Sequence, residues 1–315
     1  MNDAPAKPAE IPGDRATAQQ FPLWLRALGR LPFGFWYAVS DFLTFLAEHL
    51  VHYRRKVIDA QLGRCFPELD DVAIGRIRRD FYRSFADVLV ESIKSTSITA
   101  GELRQRVEVR GFEHARVHLA AGRSVLLATG HHCNWDWALL AVSQGLGYPL
   151  DAAYKPLHDA WADRLFRGIR SRFGAHMVPA KQLLLRVVRN RGQPRAIAMV
   201  ADQDPVTAAT RHFVTFFGQE TAFYTGPESL ARVLKIPVIF VAMRRTGRGR
   251  YVIELEPLVG HDEQLPEGGI TERYARRVEA LVRERPAEWL WSYRRWKMRR
   301  DADGVVQRGR TFGED

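Results

Sequence analysis

The stretch Ser124-Val125-Leu126-Leu127-Ala128-Thr129-Gly130-His131-His132-Cys133-Asn134-Trp135-Asp136-Trp137 decides how the rest of the chain is read. Its first five residues, 124–128, are almost wholly apolar and run into Thr-Gly, which predicts a buried strand; residues 135–144 predict a helix. His131 and Asp136 stand five positions apart across the junction. On one continuous helix such residues lie about 140° apart around the axis and their side chains cannot meet. A break between strand and helix lets a first-turn carboxylate reach back to an imidazole at the strand end. That pair makes a candidate general base: the carboxylate fixes the tautomer, and the free nitrogen takes a proton from a hydroxyl. The same spacing also fits a plain strand-to-helix turn, with Asn134 as N-cap and Asp136 as an acid favoured by the helix dipole.

Outward from this point the pattern alternates. Strands are predicted near Val107 and at 151–154, 195–201, 213–216, 237–243 and 251–256, and helices at 159–173, 183–191, 226–234, 271–284 and 286–293. This predicts an α/β fold, a single sheet covered by helices. Upstream, Ile74, Ile77, Phe81, Phe85, Val88 and Leu89 recur every three or four residues and mark an amphipathic helix over 72–94. Residues 1–20, rich in Ala, Pro and polar groups, read as a disordered lead-in without a secretory signal. Residues 21–56 follow as a separate segment, then a catalytic domain at 57–302 and a flexible tail at 303–315. The segment is dense in aromatics and leucine, interrupted by Asp41 and Glu48, and flanked by Arg26 and Arg30 on one side and Arg54, Arg55 and Lys56 on the other. It suits a helix lying in a membrane surface. A single span and a buried hairpin are its other readings.

Lys and Arg number 47 against 36 Asp and Glu, a net charge of +11. Such a field attracts polyanions. The basic residues are dispersed and no nucleic-acid-binding motif accompanies them, so anionic lipid or an acidic protein partner is preferred to nucleic acid. The two cysteines, Cys65 and Cys133, make no disulfide framework and no metal spacing. Cys133 reads as a packing residue. His132, next to His131, would point to the opposite face of extended backbone, so no shared metal and no cofactor is expected.

The motif Gly-His-x-x-Asn-Trp-Asp closely resembles the H-x-x-x-x-[DE] signature of the bacterial lipid A late acyltransferases, the lauroyl/myristoyl type, within the glycerolipid acyltransferase superfamily. Other blocks resemble the same family in order: Tyr53-Arg54-Arg55 through Phe66-Pro67-Glu68, with Gln61 where the family usually has Asn; Tyr154-Lys155-Pro156; Arg170-x-x-x-Gly174; Ala201-Asp202-Gln203 with Phe216-Phe217-Gly218; and 286–297, with Trp289, Trp291 and Arg295. The resemblance implies an O-acyltransferase at the cytoplasmic face of the inner membrane, using acyl carrier protein (or acyl-CoA) as donor and a lipid A precursor as acceptor. Other glycolipids, lysophospholipids or amino-acid lipids are alternative acceptors. It implies His131 and Asp136 as the catalytic pair, and Arg170, Lys155, Asn134, Asp202 and Gln203 as substrate-binding. Phe216-Phe217-Gly218 is expected to wall the acyl chain's path, although core packing would look identical in sequence. The aromatic and cationic cluster from Trp289 to Arg300 suits a lipid headgroup boundary, and equally base stacking on single-stranded nucleic acid, the competing class; a conventional helix packed by its tryptophans is the third reading.

Overall fold

The computed structural model describes residues 21–205, 210–300 and 306–308. The lead-in at 1–20 therefore lies outside the described residues, as does most of the tail. Of the tail, residues 306–308 pair antiparallel with Met298–Arg300.

A seven-stranded sheet forms the centre. Its strands are β1 (Val107–Arg110), β2 (Val125–Thr129), β3 (Leu150–Tyr154), β4 (Ala175–Pro179), β5 (Ala196–Val200), β8 (Val238–Gly247) and β9 (Arg250–Val259). Their spatial order is β1-β9-β8-β2-β5-β3-β4. The run from β8 to β4 is parallel; β9 opposes β8, and β1 follows β9. Both faces are covered, which explains the unbroken apolar runs. Along β2, Val125 and Leu127 join one core cluster while Leu126 and Ala128 join the other. β8 divides in the same way, Phe240 and Ala242 against Ile239 and Val241.

The helices, in chain order, are α1 (Leu23–Arg30), α2 (Phe33–Phe45), α3 (Arg55–Cys65), α4 (Asp71–Lys94), α5 (Ala100–Arg106), α6 (Phe112–Ala120), α7 (Trp135–Leu146), α8 (Ala160–Arg170), α9 (Leu183–Arg189), α10 (Gly226–Leu234) and α11 (Gly269–Glu284). The long amphipathic α4 starts where expected because Asp70 caps it, accepting from the Ala73 amide at 2.8 Å.

Three expectations change. The 213–216 strand leaves the main sheet: it belongs to β6 (Arg211–Phe216), which forms a separate hairpin with β7 (Gln219–Tyr224). Its two-residue turn, Phe217-Gly218, takes positive φ at both positions (52° and 69°), the geometry that matches strand twist. The helix expected at 286–293 is only a 3₁₀ turn, Pro286–Glu288, after which Trp289 bridges His132. The aromatic cluster beyond it is core: Trp289, Trp291, Arg295 and Trp296 are 3%, 0%, 0% and 2% exposed.

The 21–51 segment is two helices and a π turn (Leu46–Leu50), broken at Leu31-Pro32. No helix among the described residues is long and apolar enough to cross a membrane. Trp36 and Ser40 face inward, where Ser40 Oγ donates to Asp87 of α4 at 2.6 Å. Trp24, Phe35, Phe42 and Phe45 face outward, between 47% and 59% exposed.

Candidate active site

The polar residues of the motif gather beyond the carboxyl ends of the parallel strands, where open α/β sheets bind ligands. β2 and β5 are neighbours in register, Thr129 opposite Val200. Two residues further on, His131 and Asp202 leave the sheet side by side. The imidazole Nδ1 lies 2.6 Å from Asp202 Oδ1, and the His131 amide donates to Asp202 Oδ2 at 2.8 Å. Gly130 permits this approach, since a Cβ there would lie 3.2 Å from Asp202 Oδ2. Trp289 Nε1 donates to the same oxygen at 2.8 Å. Burial pushes the Asp202 carboxyl up, but the adjacent His131 and these hydrogen bonds outweigh it and hold it below the usual carboxylate range. An ionised Asp202 keeps the proton on Nδ1 and leaves Nε2 as a lone pair. Gln203 sits 3.5 Å from Nε2, and the Trp135 ring packs edge-on against the imidazole, centroids 5.3 Å apart.

The carboxylate beside His131 is thus Asp202, and the expected His131–Asp136 hydrogen bond is replaced. Asp136 turns to Arg170, the last residue of α8, whose Nε donates to Asp136 Oδ1 at 2.8 Å. The reason is the turn between strand and helix. Cys133 takes a left-handed conformation (φ 52°), and Asn134 then caps α7, accepting from the Trp137 amide at 2.9 Å. Asp136 enters the first turn and pairs with Arg170 of α8, while the chain leaving the neighbouring strand supplies the acid that meets the histidine.

His131, Asp136, Arg170, Lys155 and Gln203 line one cavity of about 270 Å³. Behind this polar mouth it runs between the sheet and α7. Leu127, Ala152, Met177, Ala198 and Val241 form one wall, and Ala138, Leu139 and Val142 the other. The small side chains Ala138, Ala152 and Ala198 hold it open. Phe216 and Phe217 do not line it; they lie in the core, 0% and 5% exposed.

Asn134 does not line the cavity either. Besides capping α7, its amide donates to Glu91 Oε2 at 2.7 Å, and it is fully buried. Glu91 also accepts from Tyr251 (2.7 Å) and from Tyr37 of α2 (3.0 Å). Burial raises its carboxyl above the ordinary value, against the pull of Arg245 and of the hydrogen bonds from Tyr251 and Asn134. His132 is buried with its ring nitrogens 3.2 Å from the carbonyls of Met243 and Arg285. The Cys133 thiol donates to Glu288. The ligand atoms of His132, Cys133 and Glu288 lie within 4.8 Å of one another. Burial pushes His132 down, against the pull of Glu288 and the two carbonyls, and pushes Cys133 up.

Sequence reasoning assigned Trp289 to a surface boundary and did not reach Glu91 or Tyr274. The Tyr274 hydroxyl donates to the Thr129 carbonyl at 2.6 Å and accepts from the Ala201 amide at 3.2 Å, tying the ends of β2 and β5 together. No local signal marks these residues, because each acts on groups far away in sequence.

A family model for bacterial lipid A biosynthesis acyltransferase matches residues 21–298. The chain belongs to that family. It is 26% identical over 292 residues to the lipid A biosynthesis lauroyltransferase of Escherichia coli (strain K12), covering 91% of this chain and 92% of that protein. It is also similar to the phosphatidylinositol mannoside acyltransferase of Mycolicibacterium smegmatis, 26% identical over 220 residues, 68% of this chain and 70% of that one. Membership makes the protein an acyltransferase, and the cavity at the carboxyl ends of the parallel strands is its candidate active site.

Proposed function

We propose that the protein moves a fatty acyl chain from a thioester donor, acyl carrier protein, to a hydroxyl of a lipid acceptor, and that the acceptor is a lipid A precursor. The observation that carries this reading is a histidine, paired to a buried carboxylate, at the polar mouth of an apolar cavity. His131 Nε2 takes the proton of the acceptor hydroxyl. The oxygen attacks the thioester carbonyl, the C–S bond breaks, and the proton passes to the departing thiolate. Arg170, braced by Asp136, faces the same mouth and stabilises negative charge on the carbonyl oxygen. Lys155 and Gln203 contribute polar contacts there, and the apolar interior takes the acyl chain. No step requires a cofactor.

The outward aromatics of α1 and α2 support docking on the cytoplasmic face of the inner membrane, where a lipid acceptor is met. A nucleic-acid reading loses its stacking platform, since Trp289, Trp291 and Trp296 are buried. A glycolipid such as a phosphatidylinositol mannoside is the second acceptor class, favoured by the similarity to the mycobacterial enzyme. The test is acyl transfer from purified acyl carrier thioester and from acyl-CoA to each lipid, with the parent protein and with His131→Ala. Transfer that disappears in His131→Ala, in a variant that still melts cooperatively although Asp202 has lost one partner, is the expected result. Parental turnover by His131→Ala overturns the mechanism.

A further inference from the structure

At the open edge of the sheet lies a second cavity, of about 590 Å³, that the acyl-transfer chemistry leaves unused. It adjoins the reaction cavity, since Tyr154 and Met177 line both. Its polar lining consists mainly of donors: Arg167 from α8, His176 from β4, Arg186 from α9, Ser171 and Gln182. No acidic side chain lines it among the described residues.

The local charges do not cancel. Beneath the groove, fully buried Asp151 accepts from buried Arg195 at 2.8 Å and from Arg186 at 3.1 Å, with His176 Nδ1 3.6 Å away. One carboxylate thus faces two guanidinium groups. The inner arginine is committed to it, so the surplus positive charge falls on Arg186, which is 37% exposed. Among the described residues Arg167 meets an acid only at Asp163, 3.9 Å away, with its own side chain half exposed, a pairing too loose to consume its charge. Forked guanidinium donors beside a hydroxyl and an amide match the oxygens of a phosphate group.

We propose that this groove binds a phosphate group, mono- or diester, on a substrate whose reacting end lies in the adjoining cavity. The assignment rests on the acyl-transfer reading above and deepens it. The phosphate belongs either to the headgroup of the lipid acceptor or to the phosphodiester arm of a carrier-bound donor.

Inorganic pyrophosphate serves as the probe, with binding measured by calorimetry on the full-length protein, on Arg167→Gln and on Arg186→Gln. Arg167 is an exposed helix residue, so its variant keeps the parental melting temperature. Arg186→Gln leaves Asp151 its Arg195 partner. The parent binds pyrophosphate, and each variant loses about tenfold or more in affinity, the cost of one charged hydrogen bond. Kinetics then identify the source. KM for the phosphorylated acceptor alone rises in the variants, with kcat nearly kept, if the headgroup occupies the groove; KM for the donor alone rises if the donor arm does. A parent that ignores millimolar pyrophosphate, an Arg167→Gln that binds as well as the parent, or unchanged KM for both substrates overturns the proposal. A parent that binds pyrophosphate through Arg167 yet transfers no acyl chain to any lipid refutes the acyl-transfer reading and leaves the groove standing.

Discussion

Asp202→Asn separates the geometry of the site from the spacing of its motif. Three N–H groups converge on Asp202: the His131 amide and Trp289 Nε1 on Oδ2, and His131 Nδ1 on Oδ1. An asparagine has one acceptor oxygen. Two donors meet at the Oδ2 position, so the oxygen must stay there and the amide NH₂ takes the place of Oδ1. It then donates to His131 Nδ1, which has to give up its proton, and the proton moves to Nε2. The nitrogen facing the cavity becomes a donor and cannot accept a proton from a hydroxyl. In serine proteases a substitution with the same tautomeric consequence costs about 10⁴ in kcat, or roughly 5 kcal/mol. A loss of about 10³ to 10⁴ is expected here. Asp136→Asn leaves the histidine untouched and keeps an oxygen for Arg170 Nε. It removes only the charge that braces the guanidinium, so a loss of about 10- to 100-fold follows, of the order of one charged hydrogen bond. Single-turnover acyl transfer from a thioester donor measures both, with thermal melting to verify folding. An Asp202→Asn within tenfold of the parent, or an Asp136→Asn more damaged than Asp202→Asn, refutes the argument and returns the orienting role to Asp136.

Other expectations follow from the same contacts. The Asp202 carboxyl is held below its ordinary value in the folded state, so its contribution to stability is complete above about pH 4 and is lost as the pH falls through the folded value; the difference in melting temperature between parent and Asp202→Asn should therefore narrow only below about pH 4. Ala198→Leu fills the apolar interior and should shift donor preference toward shorter chains, by roughly 1–3 kcal/mol per methylene excluded; an unchanged ranking in a competition among acyl donors counts against the cavity as acyl site. Phe42→Ser with Phe45→Ser removes two half-exposed outward aromatics and should weaken binding to anionic phospholipid vesicles about ten- to a hundredfold, since about half of the 1.5–3 kcal/mol for fully burying each side chain is at stake; undiminished cosedimentation would place the membrane contact elsewhere.

The parallel strands were legible because both their faces are buried, so residues 124–128 and 195–201 read as apolar runs ending in polar residues. The helix α4 was legible because its apolar positions recur every three or four residues along one buried face. The partner of His131 was not. Spacing along the chain offers Asp136, whereas the neighbour across the sheet is set by β2 lying beside β5, and no residue in either strand announces that pairing. β4 escaped because Ala175–Pro179 is a short edge strand ending in proline, a weak signal beside the helix that precedes it. Phe216-Phe217-Gly218 looked like a binding wall, but its glycine and preceding phenylalanine are a hairpin turn and its rings fill the core.

The segment after α11 shows why composition misled. Polar loops leave the carboxyl ends of β2 and β5, and their buried backbone and carboxylate groups must all find partners. The chain from 286 to 296 supplies them. The Glu288 carbonyl accepts from the Cys133 amide at 2.8 Å, and the Leu290 amide donates to the His131 carbonyl at 3.1 Å. The Trp289 indole holds Asp202, and Arg295 holds Asp204 at 2.6 Å while itself fully buried. A segment with this task needs bulk to close the core and N–H donors at the tips of its side chains. Tryptophan, tyrosine and arginine meet both needs. Those same residues suit a membrane boundary or a stacked base, because each of these places also has one dry side and one polar side. What distinguishes the cases is where the strands end, and here they end against this segment. The histidine loop and the aspartate loop, 71 residues apart in the chain, are therefore brought to one geometry by a third stretch that lines no part of the reaction cavity.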